Sequence, residues 1–148
     1  MTFLRSSLTV WIGLLALVIT IAGCKGNSSP PSYDEYLAKA RSAIAASEAL
    51  QKPANMKDAK VAKEALVRCS DVVDSYQGTA FEKLPSYEWL KTNRANLTLI
   101  SQQVDAGSTP PMQAWENLSS CLESVKRSFD SPKEQEISGR SKPSPSAS

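Results

Sequence analysis

The sequence has no histidine. That removes the commonest general base and the commonest metal ligand. No other set of side chains suggests a metal or a cofactor. Aromatic residues are sparse, at 7%, and β-branched runs are missing after residue 24, which argues against strands. There is no Gly-x-Ser-x-Gly elbow for a serine hydrolase and no Cys-x-x-Cys for thiol–disulfide exchange. Charge of one sign is not in excess either. The 17 basic and 15 acidic residues leave a net charge of +2, far from the basic face that a nucleic-acid binder needs. Nothing repeats at the period of a helical solenoid.

One long apolar run is present, and it comes first. From Leu8 to Ala22 the chain is almost wholly apolar, and Arg5 is its one preceding charge. A short basic start, an apolar stretch and a small-residue end make a secretory signal. The run is shorter than the ~20 residues that cross a bilayer comfortably. It closes on Ile21-Ala22-Gly23-Cys24, after which Lys25, Gly26, Asn27 and Ser28 are polar or small.

Those four residues resemble the lipobox of bacterial lipoproteins: a branched apolar residue, two small ones, then cysteine. The resemblance covers only the first 24 residues. It implies that the Cys24 thiol receives a diacylglyceryl group and that signal peptidase II cuts between Gly23 and Cys24. It also implies that the new amino terminus is acylated, for example with palmitate. One acyl chain binds a membrane reversibly, whereas two or more hold it stably. An uncleaved membrane helix or a plain secretory signal would leave a cysteine directly after Ala-Gly unexplained. In enterobacterial lipoproteins an aspartate after the cysteine favours retention in the inner membrane. Lys25 stands there, which favours the outer membrane.

The remaining cysteines are Cys69 and Cys121. An exported chain enters an oxidising compartment, so these two are expected to pair. The alternative is two independently buried thiols.

The rest of the chain divides by composition. Residues 1–23 are the signal peptide and residues 24–31 a lipidated tether rich in Gly, Ser and Pro. Residues 32–130 read as one all-α domain, a small antiparallel bundle of about four helices. Residues 131–148, dominated by serine, proline and charge, are expected to be disordered.

Within the domain, Ser32 with Glu35 forms a capping box ahead of a stripe of Tyr33, Leu37, Ala40, Ile44 and Leu50, flanked by Tyr36 and Ala43; Pro53 marks its end. Asn55 is the expected cap of a second helix, whose stripe is Ala62, Ala65, Leu66, Cys69, Val72, Val73 and Tyr76, stopped by Gly78. Thr79 to Pro85 form a connector with Phe81 and Leu84 tucked beneath it. A third helix runs from about Ser86 to Val104 with Leu90, Leu97, Ile100 and Val104 inward. Thr109 and Pro110 are the expected start of a fourth, with Trp115, Leu118, Leu122, Val125 and Phe129 on its stripe. Short connections make neighbours antiparallel, so the second and fourth helices run the same way and bring Cys69 and Cys121 to similar heights.

Two surface features carry functional readings. Lys57, Lys60 and Lys63 crowd the start of the second helix and Asp71 and Asp74 its end, against the preference of the helix dipole. They read either as a basic patch for anionic lipid or an acidic partner, or as salt-bridging to neighbouring helices or plain solubility. Tyr36, Tyr87 and Trp89 read either as an exposed aromatic patch or as core. Catalysis has little support. Glu64, Asp71 and Asp74, with Glu116 and Glu123, could supply a carboxylate pair for glycan hydrolysis, yet acids on helices are nearly always a solvated face. The reading that follows is a bacterial envelope lipoprotein, bound to membrane lipid through Cys24, acting as a non-catalytic module for an envelope protein partner. The alternatives are a structural envelope spacer and a wall-glycan enzyme.

Overall fold

The computed structural model describes residues 31–139. The signal, the lipobox and Cys24 lie outside the described residues, as does the chain from residue 140 onward. Among the described residues the structure is all-helical: α1 (Tyr33–Leu50), α2 (Ala59–Tyr76), a 3-10 turn (Ala80–Lys83), α3 (Pro85–Asp105), α4 (Met112–Ser128) and α5 (Pro132–Ser138). None of these helices is long and apolar enough to cross a membrane.

The capping box forms as expected. The Glu35 N–H donates to Ser32 Oγ at 3.2 Å, and the Ser32 N–H donates to Glu35 Oε2 at 3.1 Å. Substituting Ser32→Ala removes an acceptor for an otherwise orphan donor and is expected to lower stability by about 1 kcal/mol. Equilibrium urea unfolding measures it.

The next two boundaries differ from expectation. Asn55 does not cap α2. It turns back and donates from Nδ2 to the Ala49 carbonyl at 2.7 Å, closing the end of α1. Asp58 caps α2 instead, its Oδ1 accepting from the Lys60 N–H at 2.9 Å and the Val61 N–H at 3.3 Å. Thr109 does not cap α4 either, which begins at Met112 behind Pro111. A proline disfavours helical backbone in the residue before it, so Pro111 keeps Pro110 extended and delays the helix.

The anticipated stripes face inward. Tyr33, Leu37, Ala40 and Ile44 of α1, Cys69, Val72 and Val73 of α2, Leu90, Leu97 and Ile100 of α3, and Trp115, Leu118, Leu122 and Val125 of α4 are all buried in one core. Leu84 seals the connector, and Phe81 packs against the core from the 3-10 turn. Successive helices pair along the chain: α1 with α2, α2 with α3 and α3 with α4, while α1 meets α4 only lightly. Side-chain bonds fix the antiparallel register of α1 and α2: Lys39 reaches Ser75 and Asp71 while Arg68 reaches Ser42. The start of α2 therefore lies beside the end of α1.

The chain beyond Ser131 departs furthest from expectation. Residues 132–138 form α5 rather than disordered tail, with Ser131 Oγ accepting from the Glu134 N–H at 3.2 Å and Gly139 closing the helix at φ 70°. The physical reason is tertiary: Glu134 is fully buried, and Ile137 packs against the core beside it.

Candidate functional site

Three sets of polar or reactive side chains could carry function. They are the carboxyl group of Glu134, the two buried thiols and the lysines at the start of α2.

Glu134 reaches from α5 to the start of α3. That start is poorly provided for: Leu84 occupies the cap position and has no side-chain acceptor, and Pro85 follows it. The next amide, Ser86, is an orphan donor of the first turn. Glu134 Oε2 accepts from it at 3.0 Å. Oε1 accepts from the Ser86 hydroxyl and, at 3.0 Å, from the Tyr33 hydroxyl. The Tyr36 hydroxyl lies 2.7 Å from Ser86 Oγ. Because the Ser86 proton goes to Glu134, Tyr36 donates to Ser86. Glu134 is thus a helix cap supplied from another helix, placed where the α3 dipole favours negative charge. Around it Tyr36 stacks on Phe81 at 5.6 Å and meets Tyr76 edge-on at 5.1 Å. Burial, with a contribution from Glu134, pushes the Tyr36 phenol well above its ordinary range.

The thiols do reach similar heights, as the antiparallel order implies, but the expected disulfide is not formed. Both cysteines are free. Cys69 of α2 donates to the Leu90 carbonyl at 3.4 Å, and Cys121 of α4 donates to the Trp89 carbonyl at 3.1 Å. Each sulfur is thus engaged with the α3 backbone rather than with the other. Burial pushes the Cys69 thiol up to about 11, against a lowering hydrogen bond from Asn93. Burial, then the nearby Cys69, pushes Cys121 up to about 11 as well. These are protonated thiols at neutral pH and poor nucleophiles. Asn93 is fully buried and donates from Nδ2 to Ser47 Oγ at 3.2 Å and to Cys69 Sγ at 3.6 Å.

The aromatic patch dissolves on inspection. Tyr36 and Tyr87 are buried, Tyr87 donating its hydroxyl to the Val73 carbonyl at 2.9 Å. Trp89 alone is open, at 41% exposure. Four of the five singled-out carboxylates are held by cations: Glu64 binds Arg68 at 2.8 Å, Asp71 binds Lys39 at 3.5 Å, Asp74 binds Arg94 at 2.7 Å and Glu123 binds Lys126 at 3.0 Å, while Glu116 is exposed on α4. Among the described residues no group of three or more His, Cys, Asp or Glu side chains is arranged to hold a metal ion.

The lysines behave differently from the acids. Lys57, Lys60 and Lys63 are exposed, and among the described residues none of them carries an ion pair. Salt-bridging therefore accounts for the acidic half of α2 and not for the basic half. Sequence reasoning anticipated these lysines and both thiols as singled-out residues, and missed Glu134 entirely. The signal for it was Ser131-Pro132-Lys133-Glu134, an N-cap, a first-turn proline and an acid at the third helical position, closed by Gly139.

Comparison with protein-family models, with curated proteins and with solved structures gave no match.

Proposed function

We propose that the chain is a lipid-anchored lipoprotein of a bacterial envelope whose helical body serves as a non-catalytic interaction module. The observation that carries this is Ile21-Ala22-Gly23-Cys24 at the end of an apolar run, followed at once by a polar tether. The acyl groups on Cys24 hold the chain to membrane lipid. Lys25 after that cysteine favours the outer membrane. The first helix is capped at Ser32, eight residues after Cys24. An extended chain of that length reaches at most about 28 Å. The body is then a short-range reader of whatever passes near that membrane. The acids of α2 are engaged in ion pairs, while Lys57, Lys60 and Lys63 carry none among the described residues, which suits recognition rather than turnover.

Intact mass measurement of the native protein tests the anchor directly. The expected mass is that of a chain beginning at Cys24 with a diacylglyceryl group and an amide-linked acyl chain, and with Cys69 and Cys121 as thiols. Cys24→Ala is expected to abolish processing and acylation, leaving the signal attached. An unacylated mature chain, or one still starting at Met1 in the native protein, overturns the reading.

A further inference from the structure

We infer that the end of the body remote from the tether is a docking surface for an extended acidic protein segment that carries an apolar side chain. Three observations meet there.

The first is charge. Every acid of α2 has an occupation. Asp58 caps the helix, and Glu64, Asp71 and Asp74 hold Arg68, Lys39 and Arg94. Near the same end of α1, Glu48 is taken by Lys126 at 2.6 Å. Among the described residues Lys57, Lys60 and Lys63 carry no ion pair, at a helix start where the dipole disfavours cations. Lys60 and Lys63 stand one turn apart on the solvent side of α2, and Val67, one turn further, is 57% exposed.

The second is shape. Beside Lys57 lies a groove of about 290 Å³ lined by Pro53, Ala54, Met56, Pro110 and Trp115. Its walls are apolar, and the Trp115 ring lies at its buried edge. A cation at the rim of an apolar slot fits an acidic segment with one embedded apolar residue. The slot anchors the side chain, and the rim sets direction and encounter rate.

The third is position. The α1–α2 register places the lysines at the far end of α1 from the tether. α1 has 18 residues, a length of about 27 Å. The lysines therefore lie at the end of the body opposite the tether's attachment, which favours a protein partner over that membrane's headgroups. This last step rests on the anchored reading above, whereas the charge and the groove do not.

The test uses the full lipidated chain in nanodiscs of neutral phosphatidylcholine. The probe is a labelled nonapeptide, four glutamates on each side of one phenylalanine, followed by anisotropy at low and high salt. Binding that weakens with salt is expected, because exposed charge pairs are screened. The K57Q/K60Q/K63Q variant is expected to bind about tenfold more weakly with an unchanged circular dichroism spectrum. Replacing the peptide phenylalanine by glycine is expected to weaken binding severalfold. Equal peptide binding by the triple variant overturns the inference. So does preferential capture, through the same lysines, of phosphatidylglycerol vesicles over the peptide, since the patch would then serve lipid. Native mass measurement separates the two failures. An unacylated chain whose lysines still bind the peptide ends the anchor reading alone. An acylated chain indifferent to the peptide ends this one.

Discussion

Replacing Glu134 by alanine is expected to cost about 2–4 kcal/mol of folding stability, although the residue belongs to a seven-residue helix near the end of the described chain. The reason lies in α3. Its first turn has no local side-chain acceptor, and the Ser86 N–H is buried with Glu134 as its partner. Truncating Glu134 strands that donor, leaves the Ser86 hydroxyl only the Tyr36 hydroxyl, and removes the bond to Tyr33. A domain of this size loses roughly 4–8 °C of Tm per kcal/mol, so the melting temperature should fall by roughly 8–32 °C. Two further variants separate the cap from mere helix packing. E134Q retains an oxygen for two of the donors but turns an amide N–H₂ toward one of them, and should lose about half as much. A chain ending at Asp130 should lose about 1 kcal/mol more than E134A, because it also removes the packing of Ile137 against the core. Urea titrations of the three variants decide it. A loss below about 1 kcal/mol in E134A, or a glutamine variant as stable as the native chain, would remove Glu134 from the role of cap.

This cap also marks where sequence reading stopped working. The apolar stripes of the four long helices were legible because burial repeats at helical spacing over several turns, and each stripe is long enough to average out exceptions. Ser32 with Glu35 was legible because both partners of the box lie within one turn. Glu134 and Ser86 are 48 residues apart. A bond across that separation leaves no mark in either local sequence. Composition then worked against α5, since serine, proline and charge describe both a solvated tail and a well-capped short helix. The same difficulty explains Asn55: its residue type announces a cap, but whether it closes the helix before it or opens the one after it depends on the path of the loop.

The functional surface was legible in part for the same reason. Lys57, Lys60 and Lys63 were visible as a local cluster at odds with the helix dipole. Which charges would be neutralised was not visible, because the partners Lys39 and Arg94 come from α1 and α3. The acids of α2 found them and the lysines found none. Tyr36 and Tyr87 were ambiguous because aromatic residues serve interfaces and cores alike. Tertiary packing decided for the core, with Tyr87 hydrogen-bonded to the backbone of α2.

Alkaline titration should unfold this protein in two stages, and the first belongs to the thiols. An unfolded cysteine ionises near about 8.5, whereas burial holds Cys69 and Cys121 in the folded chain up to about 11. A folded pKa above the unfolded one means that the folded state keeps protons that the unfolded state releases. Stability from this source is intact below about pH 8.5 and is lost as pH rises toward 11. At about 1.36 kcal/mol per unit, the loss is about 2–3 kcal/mol for each thiol by the upper end of that window. The phenols of Tyr36, Tyr76 and Tyr87, all raised chiefly by burial, add a second decline that begins near about pH 10, where unfolded tyrosine ionises. Urea midpoints at pH 7.5, 9 and 10 should therefore fall steadily for the native chain, while C69A/C121A, somewhat weaker at pH 7.5, should hold level to pH 9 and decline only slightly by pH 10 as the tyrosines begin to contribute. Parallel slopes for the two proteins would show that the thiols are not protonated by burial. On the proposed envelope reading, the same protonation is what would keep Cys69 and Cys121 unpaired in an oxidising compartment. The thiolate is the species that attacks a disulfide or an oxidant, and a thiol moved from about 8.5 to about 11 has a thiolate fraction roughly three-hundredfold smaller at neutral pH. With each sulfur held against a carbonyl of α3 and kept neutral there, oxidation has to wait for unfolding. Reaction with a disulfide reagent at pH 8 should accordingly be slow in buffer and complete within minutes in 8 M urea.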